Sequence, residues 1–277
     1  TAAGGRLRVT LETRRFADFA AVDWLLRFEN AGDGPGEVLE DVLPLDLSAP
    51  LAAARRLRLH TAKGSSCQMD DFLPLEIDLP PGARQWIVPQ GGRSSNGAFP
   101  FFNLQCGGGG VVLAVGWSGQ WAASFERDDK ALRLAAGMER TRLRLQPGEA
   151  IRTPRILLLE WTGDREDAGT NLLRRLLLGH YVPRVGGEPP APPLAHCLQA
   201  YYYLTGQAKE EWEMRAVARA AETGADTYWI DACWYGQGAQ WWQEVGNWQV
   251  NRQRFPHGLR PISDAARRAG MKFILWF

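Results

Sequence analysis

Asp231 is the residue whose type and place best suit chemistry. It follows the apolar run Thr227-Tyr228-Trp229-Ile230 and precedes Ala232, Cys233 and Trp234. The stretch from about Ala232 to Gly258 also holds Tyr235, Trp241, Trp242 and Trp248. It is long for a strand-to-helix connection, which usually takes about two to six residues. A carboxylate accepts hydrogen bonds from hydroxyls. Indole faces stack on the apolar C–H side of a sugar ring, and an indole N–H donates at its edge. This pairing suits a neutral polyol. It suits a phosphorylated ligand badly, because the chain has no P-loop and Gly107 to Gly110 reads as a flexible turn. The same residues have plainer uses: an Asp ending a strand caps a turn, and a lone Trp fills a core. Several Trp in one loop argue for a platform, since a loop has little core to fill. Tyr201-Tyr202-Tyr203 reads as wall packing and Arg174-Arg175 as a solvated helix face.

Composition excludes other classes. Lys and Arg total 32 against 31 Asp and Glu, so no charge footprint points to nucleic acid or an anionic membrane. The four cysteines (67, 106, 197, 233) form no C-x-x-C pair, and the four histidines (60, 180, 196, 257) do not cluster with them. No metal site and no cofactor follow from this spacing. Unpaired cysteines fit a reducing compartment, so a cytoplasmic location is expected. The longest apolar runs, Val111 to Val115 and Ile156 to Leu159, are far too short to span a bilayer.

The elements that would position Asp231 come from two periodicities. Residues 6 to about 161 alternate with period two, as in Leu7 to Glu12, Arg56 to Leu59 and Arg142 to Leu145. Val22 to Phe28 and Val111 to Trp117 are apolar enough for an inner sheet. Turn chemistry separates these runs at Gly32 to Gly36, Pro80-Pro81-Gly82, Gly107 to Gly110 and Gln146-Pro147-Gly148. The expectation is a large antiparallel β-sandwich over 1–162. After Trp161 the period becomes helical over Asp167 to Leu178, with Gly179 placed as a C-cap. Gly186 to Pro193 reads as a stiff linker, so 163–192 is expected to be a linker helix and Pro-rich linker. From 193 to 277 the order is strand (Ala195 to Tyr203), helix (Lys209 to Thr223), strand (Thr227 to Asp231), helix (from Pro261) and strand (Met271 to Phe277). Such alternation implies parallel strands. The span is enough for about three units of a (β/α)8 barrel, which takes about 250 residues. A chain closing on a buried strand suggests a fragment.

At these residues the sequence resembles family 36 of the glycoside hydrolases, the microbial α-galactosidases. Ile230-Asp231-Ala232-Cys233-Trp234 is similar to the family's "IDDGW" strand end. Phe255-Pro256-His257-Gly258-Leu259-Arg260-Pro261-Ile262-Ser263 and Gly270-Met271-Lys272-Phe273-Ile274-Leu275-Trp276-Phe277 resemble its "FPxGLxPL…GMKFGLWF" segment. Gly92-Arg93-Ser94-Ser95-Asn96, Trp117-Ser118-Gly119-Gln120-Trp121 and the stretch Asn171 to Arg184 are similar to further family segments, so the resemblance covers nearly everything from about residue 85.

The resemblance implies an N-terminal β-supersandwich followed by the first three β/α units of a TIM barrel. It implies retaining hydrolysis of terminal α-linked galactose, or a related sugar, in oligosaccharides. Two carboxylates about 5–5.5 Å apart perform that reaction. The family carries them on the fourth and sixth barrel strands, so no catalytic residue is expected in this chain, which is expected to be inactive alone. What carries over is substrate binding: Asp231 for sugar hydroxyls, Trp276 for the pocket wall and Trp234 as a neighbour. Ala232 replaces a family Asp, and Leu198 stands where a first-strand Trp is usual; both departures bear on sugar preference. Two other readings stand beside it: a non-catalytic carbohydrate-binding protein, and a transglycosidase of the same clan. The expected partner is an oligosaccharide, with a homo-oligomer left open.

Overall fold

Period-two patterning becomes strands throughout the first 162 residues. The computed structural model describes residues 6–52, 55–165, 167–198, 208–232, 234–236 and 243–277. Its strands there are β1 (Leu7–Arg15), β2 (Ala21–Asn30), β3 (Val38–Glu40), β4 (Leu45–Pro50), β5 (Leu57–Ala62), β6 (Pro74–Asp78), β7 (Arg84–Ile87), β8 (Phe101–Cys106), β9 (Gly109–Gly116), β10 (Trp121–Arg127), β11 (Ala131–Met138), β12 (Arg142–Arg144), β13 (Ala150–Arg152) and β14 (Arg155–Thr162). An eight-stranded antiparallel sheet runs β1-β2-β14-β9-β8-β5-β6, with β13 also on β2. A four-stranded sheet runs β4-β11-β10-β7, and β12 pairs with β3.

The alternation decides which side chains meet. Leu59, Phe102, Leu104, Leu113, Val115 and Ile156 of the large sheet pack against Leu45, Trp121, Ala123, Phe125 and Leu134 of the smaller one. The other faces of β9 and β14 are also buried. Val112, Ala114, Leu157, Leu159 and Trp161 lie under Leu173 and Leu176 of α1 (Asp167–His180). Burial on both faces explains why these two strands read as unbroken apolar runs. Gly179, expected as a C-cap, lies inside α1, which continues to His180. The end of this helix is held by Tyr181, whose hydroxyl donates to the fully buried Asp23; Arg14 and Arg155 reach the same carboxylate at 2.6 and 2.7 Å. Burial, then the hydrogen bond to Asp23, pushes the Tyr181 hydroxyl up to about 12.

Pro154 has no N–H for the ladder, and it separates β13 from β14. Thr153 replaces the lost bond: its N–H donates to the Leu26 carbonyl at 2.9 Å, and its hydroxyl accepts from the Leu26 N–H at 3.0 Å. The glycine run is only half a turn. Gly109 and Gly110 belong to β9, and a Cβ at Gly110 would strike the Leu104 carbonyl and stand 2.8 Å from Trp161 Nε1. Gly110→Ala is therefore expected to destabilise the chain by about 2 kcal/mol, since the added methyl overpacks a filled site. Urea denaturation measures this, and an unchanged midpoint would show that Trp161 can move aside.

The chain divides into two compact units, Thr1–Val182 and Pro183–Phe277. In the second, β15 (Ala195–Cys197), β16 (Thr227–Ile230) and β17 (Lys272–Leu275) form a parallel sheet in that order. Between them lie α2 (Glu210–Glu222) and α3 (Arg260–Arg268), the latter with Pro261 in its first turn. Asp226 ties the strand starts together. Its backbone N–H donates to the Leu194 carbonyl at 3.1 Å, and its carbonyl accepts the Lys272 N–H at 2.8 Å. Ala216, Val217 and Ala220 of α2 and Ile262 and Ala266 of α3 bury Tyr228 and Ile230 of β16. Alternation turns Trp229 and Asp231 to the opposite side. The first strand, expected to run to Tyr203, ends at Cys197 among the described residues, and Tyr201, Tyr202 and Tyr203 lie outside them.

Candidate functional site

Asp231 stands immediately beyond the carboxyl end of β16 and is 9% exposed. Its Oδ1 accepts the Ala232 N–H at 2.7 Å. Its Oδ2 makes no hydrogen bond among the described residues. One oxygen of the carboxylate is thus a turn cap.

The aromatic residues divide into buried supports and exposed faces. Trp234 and Tyr235 are 2% and 1% exposed and join the core formed by the sheet and helices. The long connection therefore contributes to that core, contrary to the expectation that a loop has little to fill. Trp234 Nε1 donates to the Trp276 carbonyl at 3.0 Å, while the Trp276 N–H donates to the Ile230 carbonyl at 3.0 Å. Trp234 and Trp276 are thereby brought together at the end of β16, beside Asp231. The Trp234 N–H is spent on that bond. Trp248 is 37% exposed and stacks on Trp234 at 6.1 Å. It meets Tyr235 edge-on at 5.0 Å and Trp276 at 6.0 Å, and Tyr235 stacks on Trp276 at 6.2 Å. Phe277, 67% exposed, closes the cluster against Trp234 and Trp248. Trp276 and Trp248 supply apolar faces at the rim. Cys233, Trp241 and Trp242 lie outside the described residues. Leu198 is half-buried and packs on the core; Ala232 is 5% exposed and offers no polar contact.

The base of this connection is built from polar groups that the sequence did not single out. The Gly236 N–H donates to the Gln249 carbonyl at 3.3 Å, and the Asn251 N–H to the Trp234 carbonyl at 3.0 Å. Asn251 Nδ2 donates to the Gly236 carbonyl at 2.6 Å, and Arg254 Nη2 to the Tyr235 carbonyl at 3.0 Å. Gly236 has φ +69°, and a Cβ there would collide with the Glu244 carboxylate. The signal was the loop's length: so many aromatics at one strand end need a buried polar anchor.

Behind Asp231, on the helix side, Glu213 of α2 is fully buried. Its Oε2 accepts the Tyr228 hydroxyl at 2.6 Å, and its Oε1 has no hydrogen-bond partner. Burial pushes this carboxyl up to about 7, against a smaller opposing effect of the Tyr228 bond. The Tyr228 hydroxyl is raised too, first by burial and then by Glu213, so it stays a donor. Among the described residues, no group of three or more His, Cys, Asp or Glu could hold a metal ion, and no helix is long and apolar enough to cross a membrane.

Comparison with known proteins finds similarity to α-galactosidases. The family model described as Melibiase matches residues 202–277. The chain is 27% identical to α-galactosidase AgaA of Geobacillus stearothermophilus over 98% of its own length and 37% of that relative. It is 25% identical to α-galactosidase Mel36A of Lactobacillus acidophilus over 67% of the chain and 26% of the relative. The α-galactosidase structure from Lactobacillus brevis shares its fold with TM-score 0.79 at 24% identity, over 98% of this chain and 36% of that one. A structure of the Geobacillus enzyme in complex with stachyose matches with TM-score 0.77 at 23% identity, over 98% and 37%. The chain thus spans well under half the length of these relatives.

Proposed function

We propose that this chain, an α-galactosidase-like relative within glycoside hydrolase family 36 whose similarity spans the family's N-terminal portion, carries sugar-binding residues of a retaining α-glycosidase. The substrate is an oligosaccharide ending in α-linked galactose or a related sugar. One observation carries the reading: Asp231, whose Oδ2 makes no hydrogen bond among the described residues, sits at a strand's carboxyl end, where Trp234 and Trp276 meet under an exposed Trp248. On this reading the parallel order β15-β16-β17, with helices between, is the first three units of a (β/α)8 barrel, whose sites lie at the carboxyl ends of its strands. The boundaries follow from it: a supersandwich to 162, a connecting helix and linker to 192, and barrel units from 193.

Asp231 accepts sugar hydroxyls. Trp276 forms the wall, and Trp234, its N–H already used, fixes the Trp276 backbone. Retaining chemistry needs a nucleophile and an acid/base about 5–5.5 Å apart. The family's fourth and sixth strands supply these, and neither is among the three strands seen. Ala232 removes one acceptor from the sugar pocket, so galactose is expected to be held less selectively than a second carboxylate would allow.

The test is hydrolysis of a panel of nitrophenyl α-glycosides by the whole protein, with sugar binding by this chain in parallel. The expected result is α-glycoside hydrolysis with retention and weak discrimination between galactose and its epimers. Clean galactose selectivity would remove the argument from Ala232. No hydrolysis and no binding would overturn the reading, and binding without hydrolysis would make the protein a carbohydrate-binding one.

A further inference from the structure

The long connection after β16 closes on itself, and Asn251 takes part in the closing through both its backbone and its side chain. Asn251 is 2% exposed. Its N–H donates to the Trp234 carbonyl at 3.0 Å, and its carbonyl accepts the Phe255 N–H at 2.8 Å. Its Oδ1 accepts the Gln253 and Arg254 N–H groups, both at 3.0 Å, while Nδ2 donates to the Gly236 carbonyl at 2.6 Å. The amide therefore acts on two segments at once, capping the turn that follows it and clamping the loop's entry. Only a side chain with an acceptor and a donor on one plane does both. An aspartate keeps the cap and loses the clamp; an alanine loses both.

The clamp has a consequence for the aromatic rim. Residues 234–236 and 249–251 lie antiparallel, with Tyr235 opposite Val250. Trp248 is the next aromatic back from this ladder, so its register decides where the ring lies against Trp234, Tyr235 and Trp276. A slip would rotate Trp248 away, because neighbouring residues in an extended segment face opposite sides.

We propose that Asn251 is a positioning residue for the sugar site: without touching the ligand, it fixes Trp248 beside Trp276 and so sets sugar affinity. This rests on reading the end of β16 as a sugar site. The test uses the full chain, Asn251→Ala and Asn251→Asp. Three quantities are measured: near-UV circular dichroism, melting temperature, and fluorescence titration with methyl α-galactoside and methyl α-glucoside. Both variants are expected to lose near-UV amplitude and to bind about tenfold more weakly, the scale of one positioned contact. Only Asn251→Asp is expected to recover part of the melting temperature, through the kept cap. Affinity that recovers together with melting temperature in Asn251→Asp would make the role merely structural and overturn the proposal. An unchanged near-UV signal in both variants would overturn it as well. A parent chain that binds neither sugar, yet loses its near-UV signal in both variants, would overturn the sugar reading and leave the positioning of Trp248 by Asn251 standing.

Discussion

Asp231→Asn is expected to weaken sugar binding by about tenfold to a hundredfold while leaving the fold intact. The Asn side-chain oxygen replaces Oδ1 and keeps the 2.7 Å bond from the Ala232 N–H. The second oxygen, which makes no hydrogen bond among the described residues, becomes an NH2. It can no longer accept from a hydroxyl, and the charge is gone. A hydrogen bond to a charged group contributes about 1.5–3 kcal/mol, which is the stated loss in affinity. Stability should move little. The turn-capping bond is kept, and the second oxygen has no hydrogen bond among the described residues to lose. Loss of binding with a melting temperature close to the parent's is thus the signature of a ligand carboxylate. Unchanged affinity would reduce Asp231 to a turn cap. A parallel loss of both would mark it as structural.

Much of this site was legible because its elements have strong periods. The strand ending at Asp231 and the helices of the second unit fall within a residue or two of where apolar spacing put them. Residues 227–230 form the strand, 210–222 the first helix and 260–268 the second. Pro261 and the terminal glycines gave the boundaries. The sheets were legible as strands but not as an order. Nothing local says that β14 lies between β2 and β9, because that pairing is chosen by which apolar faces fit together. The glycine run misled for a similar reason. Gly109 and Gly110 read as turn residues, yet they are strand residues whose missing Cβ makes room for Trp161, about fifty positions away in the chain. The aromatic loop misled in the opposite sense. Its Trp content signalled a ligand platform, while Trp234 and Tyr235 turned out to belong to the core of the second unit, with Trp276 partly buried against it and Trp248 exposed. Asn251 and Arg254 were invisible because a polar anchor has no periodicity.

Glu213→Gln is expected to stabilise the chain by about 2 kcal/mol at pH 8 and by almost nothing at pH 5. In the fold the Glu213 carboxyl titrates near 7, against an ordinary value of 4.5. Between those values the folded chain holds a proton that the unfolded chain has released. The group's stabilising contribution is therefore complete below about pH 4.5, falls as pH rises through 7, and is absent above. The shift corresponds to a loss on the order of 3 kcal/mol across that window. Glutamine cannot ionise, and its oxygen still accepts the Tyr228 hydroxyl. Its amide NH2 falls where Oε1 now has no partner, which returns part of the gain. Urea denaturation of both proteins at pH 5, 7 and 8 measures this. Stability curves that run parallel across that range would mean the carboxyl titrates normally, and would sink the argument. The location makes the effect more than a stability detail. Glu213 joins α2 to Tyr228 of β16, and Tyr228 is three residues before Asp231, which follows the end of that strand. Ionising Glu213 places an unpaired charge between helix and strand at the base of the proposed sugar site. Sugar affinity of the parent chain should then decline above neutral pH, and that decline should be absent in Glu213→Gln.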